Sequence, residues 1–302
     1  MSPMRIAVTG ASGLLGSALT RSLQQDSHQV VRLVRREPAT PGEVRWDPEG
    51  GHLDTARLGE VDAFVHLAAK SIGMRRWTAP VKRAHWDSRV RGTATVARAL
   101  AAMERPPRVF VCGSAVGYYG DTGERRTDEG AGPGTGFLAE MVQAWEGAAE
   151  PVERAGVRTV FARSGLVVAR HGGAWGHLFP IFRAGLGGRL GDGRQFWSFI
   201  ALHDHVAAMR HLIDPPSPAA ALSGPVNLTA PEPVTNREVT AAMGRVLHRP
   251  TALTVPAPAL RLVMGDFADD MLGSQRVVPA KLLDSGFSFA FPGIEQAVRA
   301  VA

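Results

Sequence analysis

The sequence is poor in the residues from which proton relays are usually built. Among its 34 Lys plus Arg only three are lysines, Lys70, Lys82 and Lys281, and its two tyrosines, Tyr118 and Tyr119, are adjacent. A phenol followed four residues later by an ammonium would be a ready proton carrier, because the cation lowers the phenol's pKa. No such pair occurs: Thr122 and Gly123 stand at those positions. The single cysteine, Cys112, excludes an internal disulfide and suits a reducing cytoplasm. Set in Val109-Phe110-Val111-Cys112, it reads as a small buried hydrophobe rather than a reactive thiol. No run of about 18 apolar residues is present. Met4-Arg5-Ile6-Ala7-Val8 starts a strand-like pattern at once, so neither a membrane span nor a signal peptide is expected.

Arginine is in excess instead, and the net charge is +6. These arginines are scattered, with no basic stripe interleaved with aromatics, so no nucleic-acid partner is read from them. A polyphosphate cofactor would absorb part of the charge. No metal site is expected either: His203-Asp204-His205 opens a helix, and no third and fourth ligands recur at metal-like spacing. Asp204 reads as an acid stabilising that helix start. The absence of Gly-x-Ser-x-Gly leaves an acyl-transfer hydrolase without support.

What the chain does contain is alternation. Strand-like runs at Arg5–Thr9, Gln29–Val34, Ala63–Ala68, Arg108–Cys112 and Arg158–Ala162 are separated by helical stretches near Leu14–Gln24, Ser88–Met103 and Gly136–Ala155. That order predicts an α/β fold, a Rossmann-type doubly wound parallel sheet. Two long Gly/Pro-rich loops, Gly120–Gly136 and Gly172–Gly193, read as functional. After the breaker Pro215-Pro216-Ser217-Pro218 come a strand-like Pro225–Leu228, a helix near Asn236–Leu247, and a mainly helical remainder with a strand-like Phe287–Phe291. Residues 1–170 are therefore expected to form the dinucleotide-binding core. Residues 171–302 would supply late core elements, substrate-side loops and a smaller C-terminal part covering a cleft.

The strongest motif is Thr9-Gly10-Ala11-Ser12-Gly13-Leu14-Leu15-Gly16, placed between the first strand and first helix. Gly10 would make the tight turn, Gly13 would admit a pyrophosphate and Gly16 would let helix approach strand; Ser12 and Leu14 complete the expected contacts. Free N–H groups and the positive helix end would hold the anion. At the end of the second strand, where an NAD-preferring chain places an acid, stand Arg35 and Arg36, with the first acid at Glu37. Guanidinium forks suit a ribose 2′-phosphate, so the expected cofactor is NADP(H).

Further segments fall in order behind this loop. They include His66-Leu67-Ala68-Ala69, Arg89-Val90-Arg91-Gly92-Thr93, Gly113-Ser114-Ala115, Arg163-Ser164-Gly165-Leu166-Val167 and Trp197-Ser198-Phe199-Ile200. The series resembles the extended short-chain dehydrogenase/reductases of the NAD-dependent epimerase/dehydratase superfamily. More closely, it is similar to their atypical epimerase-family, sugar-nucleotide-epimerase-like subgroup. That likeness runs the full length, through Arg75-Arg76-Trp77, Gly117-Tyr118-Tyr119-Gly120, Phe137-Leu138-Ala139-Glu140, Trp145-Glu146 and Gly273-Ser274-Gln275-Arg276-Val277. The resemblance implies that Leu67, Ala68, Arg89 and Leu166 also face the cofactor and that Ser114 is catalytic. It leaves room for a homodimer.

The superfamily's Tyr-x-x-x-Lys pair should fall around Phe137–Glu146, where Phe137, Leu138, Met141 and Val142 stand instead. Tyr118 or Tyr119, Glu140 and Lys70 are the available replacements. Arg183, Arg189 and Arg194, in the second glycine-rich loop, are expected to meet an acidic small-molecule substrate. The leading expectation is an NADP(H)-dependent oxidoreductase or epimerase-like enzyme acting on a carbonyl, hydroxyl or sugar-nucleotide-like substrate. The alternative is a catalytically silent NADP(H)-binding redox sensor or interaction protein.

Overall fold

A computed structural model describes residues 3–73 and 76–302. Arg75, the first residue of the Arg75-Arg76-Trp77 motif, lies outside the described residues. In chain order the first part of the fold is β1 (Arg5–Thr9), α1 (Leu14–Gln25), β2 (Gln29–Val34), β3 (Glu43–Asp47), β4 (His52–Leu53), α2 (Thr55–Leu58), β5 (Ala63–His66) and α3 (Ala79–Ala101). It continues through β6 (Val109–Ala115), α4 (Phe137–Gly147), α5 (Glu150–Arg154) and β7 (Arg158–Ser164). Then follow β8 (Leu166–Val168), α6 (Gly173–Arg183), β9 (Gly188–Leu190), β10 (Phe196–Trp197), β11 (Phe199–Ala201), α7 (Leu202–Ile213) and β12 (Gly224–Leu228). The chain closes with β13 (Val234–Thr235), α8 (Asn236–Leu247), β14 (Leu253–Val255), α9 (Ala257–Met264), α10 (Phe267–Leu272), α11 (Ala280–Asp284) and α12 (Ile294–Arg299).

The main sheet has eight strands in the order β12-β7-β6-β5-β1-β2-β3-β4, parallel throughout except for the antiparallel end strand β4. It is the doubly wound Rossmann-type sheet that the alternating pattern predicts. Because helices cover both faces, the strands are buried on both sides and read as nearly continuous apolar runs. In β1, Ile6 and Val8 turn to one layer with Leu19 and Leu23 of α1 and Met209 and Leu212 of α7. Ala7 turns to the other, where Phe64, Phe110, Val96 and Leu100 pack. Each such fully buried aliphatic or Phe side chain contributes about 1.5–3 kcal/mol over its exposed state. Cys112 lies in this second layer with no exposure, and burial pushes its thiol up to about 12, so it packs and does not react.

Several elements differ from the sequence expectation. The strand Glu43–Asp47 had no place in it, yet β3 pairs parallel with β2, because Val44 and Trp46 bury beside Leu33. Helix α3 starts well before Ser88, with Pro80 in its first turn, where a missing N–H costs nothing. The expected helix Gly136–Ala155 is two helices. Phe287–Phe291 is not a strand. Phe287 and Phe289 pack onto the core, and the N–H groups of Ala290 and Phe291 go to the Asp204 carboxylate at 2.9 and 2.8 Å rather than to a neighbouring strand.

That last contact matters for how the C-terminal part is held. Asp204 sits in the first turn of α7, almost wholly buried, and ties the tail before α12 to the core. A second joint lies in the loop after β6. Thr122 N–H donates to the Ser274 carbonyl (2.7 Å), Thr127 N–H to that of Arg276 (2.9 Å) and Val278 N–H to that of Thr127 (2.9 Å). The glycine-rich Gly120–Gly136 loop is thus a rail on which residues 274–278 dock. Asp204→Ala is expected to take the acceptor from the Ala290 and Phe291 N–H groups and to cost about 1–3 kcal/mol, read as a lower denaturation midpoint with an unchanged denaturant slope.

Candidate functional site

Strand β1 lies between β5 and β2, the point where the chain's crossovers leave in opposite directions and where open α/β sheets bind ligands. The loop after Thr9 is shaped by contacts only glycine allows. Gly10 has φ +68°, and a Cβ there would lie 2.8 Å from the Leu67 carbonyl carbon. A Cβ on Gly16 would run into the Gly10 carbonyl oxygen. Helix α1 begins at N-cap Gly13 with no side-chain cap and no acid in its first turn, so its N–H groups and positive end stay available to an anion.

The Thr9 hydroxyl organises the opposite wall. It accepts from Leu67 N–H (3.1 Å) and Ala68 N–H (3.2 Å) and meets His66 Nδ1 at 2.8 Å. Burial pulls the His66 imidazole down to about 4, so the ring is neutral and its Nδ1 accepts the Thr9 proton. Gly10, Gly13, Leu14, Gly16, Leu67 and Ala68 are brought to one place by these contacts, with Ser12 exposed at its rim.

At the end of β2 the two arginines have different fates. Arg36 forks onto Glu43 (2.6 and 2.8 Å), which also accepts from Ala39 N–H (2.8 Å). The Arg36 bonds hold the Glu43 carboxyl down at about 2. Arg35 is exposed and has no ion pair or hydrogen bond among the described residues. Arg45 takes Glu37. The local balance is therefore one unneutralised cation, Arg35.

Next to the glycine loop opens a cavity of about 400 Å³. Leu14 and Leu15 of α1, Arg89 of α3, Ser114 of β6, Leu138, Met141 and Val142 of α4, and Leu166 of β8 line it, together with Trp175, His177, Trp197, Asp270 and Gln275. Ser114 Oγ–H donates to Glu146 at 2.6 Å, and Arg163 grips the same carboxylate through Nε and Nη2 at 2.8 and 2.7 Å. The pair is buried, with the Arg163 and Glu146 side chains 4% and 11% exposed. A carboxylate only accepts, so the Ser114 proton is committed to it and the serine faces the cavity as an acceptor.

Arg89 is the unusual cation here. It is 6% exposed and donates to the carbonyls of Lys70 and His85 (both 3.2 Å), yet among the described residues its Nε–H has no hydrogen-bond partner and no acid pairs with it. Burial lowers it to about 10, which still leaves it charged at neutral pH.

The structure places the other sequence candidates elsewhere. Tyr119 is buried away from the cavity, donating to Asn227 Oδ1 (2.8 Å) and accepting from Arg163 Nη1 (3.0 Å). Burial pushes its phenol up against the pull of Arg163. Tyr118 lies flat beneath the Arg163 guanidinium, 3.4 Å from its ring centroid, and does not line the cavity. Both tyrosines therefore hold Arg163 rather than face a ligand. Arg183 and Arg194 are exposed and outside the cavity: one ends α6 near Phe179 and the other sits in a turn closed by Asp192. Arg189, Lys70 and Glu140 are likewise exposed and outside it. His205 bonds Ser164 (2.8 Å), so with Asp204 bound to the tail the His203-Asp204-His205 run does structural duty.

A family model described as NAD dependent epimerase/dehydratase family matches residues 6–222. The chain belongs to that family. A second model, Domain of unknown function (DUF1731), matches residues 255–301 of this family member. An epimerase family protein of Mycobacterium bovis is 44% identical over 294 residues, covering 97% of this chain and 96% of that protein. A solved structure of human epimerase family protein SDR39U1 (isoform 2) with NADPH is 31% identical, with a TM-score of 0.89 and 99% of both chains covered. A nucleoside-diphosphate sugar epimerase from Corynebacterium glutamicum is 34% identical with a TM-score of 0.78, covering 98% of this chain and 57% of that one.

Within this epimerase/dehydratase member, Leu138 and Val142 stand four apart on the cavity face of α4, beside Ser114. They occupy the stretch where the superfamily's Tyr/Lys pair was expected, so α4 brings no ionisable group to the cavity among the described residues. Sequence reasoning passed over Glu146 and Asp270, since nothing local distinguishes either acid from a solvated one. Glu146→Gln is expected to strand the buried Arg163 and cost about 3–5 kcal/mol, measured by chemical denaturation, with Tyr119 emission altered in the folded variant.

Proposed function

We propose that the chain binds NADP(H) across the β1 loop and works as an oxidoreductase or epimerase-like enzyme on a small molecule held in the adjoining cavity. The observation that carries this reading is the continuity of the two: Leu14 belongs both to the anion-binding helix start and to the cavity wall. The fit of a dinucleotide is supported by the turn itself, where a Cβ at Gly10 would strike the Leu67 and Ala68 backbone and one at Gly16 the Gly10 carbonyl, so that only glycine lets the helix start approach the strand ends this closely. Gly10, Ser12, Gly13, Leu14 and Gly16 would hold the pyrophosphate, Leu67 and Ala68 the adenosine half, and Arg89 and Leu166 the nicotinamide half. A bound nicotinamide supplies hydride chemistry; the chain's residues orient the reactants and exclude water. The NADPH in the human SDR39U1 structure supports the same choice.

For the phosphate choice, Arg35 is the residue left to take a 2′-phosphate, while Arg36 is largely spent on Glu43. A second reading, NADP(H) binding without turnover, is favoured by the apolar pair Leu138 and Val142. No helix among the described residues is long and apolar enough to cross a membrane.

Two measurements test this. NADPH is expected to raise the melting temperature, since a ligand that binds only the folded chain stabilises it by mass action. NADPH oxidation with a panel of aldehydes, ketones and quinones, and mass-spectrometric product analysis with nucleotide sugars, is expected to reveal turnover. Stabilisation without any turnover would favour the silent reading. Arg35→Ser is expected to weaken NADPH about tenfold or more with NADH little changed. Arg36→Ser is expected chiefly to lower the melting temperature by unpairing Glu43. That loss shrinks as the pH falls from about 4 toward about 2, where the native Glu43 carboxylate takes up its proton.

A further inference from the structure

Among the described residues Asp270 is the only carboxyl lining the cavity, and it comes from α10, in the C-terminal segment, whereas Ser114 comes from the sheet. Its neighbours on the helix are both engaged: Lys82 of α3 takes Asp266, and Arg261 of α9 takes Asp269 (2.9 Å). Asp270 has neither an ion pair nor a hydrogen bond among the described residues. Arg89, lining the same cavity, is more than nine-tenths buried with an unmatched Nε–H, which marks the space as built around a polar ligand. Of the other proton carriers, Ser114 is committed to Glu146 and both tyrosines are packed on Arg163, which leaves His177 of α6 as the rival to Asp270.

We propose that Asp270 is the proton-transfer group of the cavity, giving a proton to, or taking one from, the substrate oxygen on the carbon that exchanges hydride with the nicotinamide. Asp270 can fill this role only if the cavity is the site of turnover proposed above. In the reducing direction a carbonyl carbon accepts hydride from NADPH, the C=O π pair moves to oxygen, and the Asp270 carboxyl breaks its O–H bond to protonate that oxygen. NADPH is oxidised to NADP⁺, the carbonyl is reduced to an alcohol, and solvent reprotonates the carboxylate. The oxidising direction reverses each transfer, with the Asp270 carboxylate as base.

The surroundings suit a group that changes protonation near neutrality. Burial raises the Asp270 carboxyl from 3.8 to about 6, and repulsion from Asp269 and Asp266 adds to this, while Lys82 opposes it. The only other ionisable groups lining the cavity, among the described residues, are Arg89 and His177.

The test compares Asp270→Asn, Asp270→Glu and His177→Gln with wild type on the NADPH and carbonyl panel. Asp270→Asn is expected to lose roughly 100-fold or more in kcat while keeping the NADPH-induced rise in melting temperature. Asp270→Glu should recover part of the rate, and His177→Gln should stay near wild type. A readout independent of activity is the melting temperature against pH. A carboxyl raised to about 6 when folded binds its proton more tightly in the folded chain. It therefore destabilises the fold above about pH 6 and hardly at all below about pH 4. Asp270→Asn should raise the melting temperature near pH 8 more than near pH 4; an equal change at both would overturn the assignment. Asp270→Asn turnover within about threefold of wild type, or a loss that follows His177 instead, overturns this proposal alone. Silence of the wild type with every probe overturns it together with the catalytic reading, while NADPH stabilisation still reports cofactor binding separately.

Discussion

A carboxylate taken out of water needs a cation or hydrogen-bond donors, and at the carboxyl end of the sheet Glu146 finds both in Arg163 and Ser114. Glu146 stands on α4 and Arg163 near the end of β7, so the pair joins a covering helix to the sheet. Around it the polar groups are shared out in sequence: Ser114 of β6 donates to Glu146, and Tyr119, accepting from Arg163, passes its own proton to Asn227 of β12. Three adjacent strands and a helix are thereby locked at the carboxyl ends of the sheet. The hydrogen-bond arithmetic of this cluster also decides what the cavity can do. With the serine proton and both phenols committed, the sheet offers the cavity no free proton donor among these three groups.

The C-terminal segment supplies what the sheet cannot. It is joined to the core through backbone bonds from residues 274–278 to the loop after β6 and through the Asp204 carboxylate. These joints hold the segment from which α10 brings Phe267, Asp270 and Met271 to the cavity lining. The α10 charges are distributed so that two acids are neutralised and one is not, which separates neighbouring carboxyls of the same type into structural and reactive ones.

Much of the fold was legible because its signals are local. The boundaries of β1, β2 and α8 follow from apolar periodicity and from turn chemistry, and the glycine loop is recognisable because each glycine answers a specific close contact. Full-length motif order made the family legible as well. The candidate site was less so, because its deciding contacts are remote. Nothing near Glu146 says which of many arginines it meets, and nothing near Asp270 says that its neighbours have partners while it does not. Phe287–Phe291 misled for the same reason: its alternating aromatics resemble a strand, but its N–H groups are taken by a buried acid from α7. Tyr118 and Tyr119 followed a strand end in sequence, yet the cation between them draws both away from the ligand side.

The way residues 274–278 are docked bears on how such a chain diversifies. On the side of residues 274–278 the joint is made mostly of main-chain groups, which meet main-chain partners and the side chains of Thr122, Ser198 and Asn227. Mutational drift in the short helix just before it can therefore exchange one cavity-lining side chain for another without loosening the attachment. The nucleotide cradle, built from the opposite end of the chain, is untouched by such changes. A lineage with this layout can keep one redox currency and alter its chemistry by rewriting a single turn of helix.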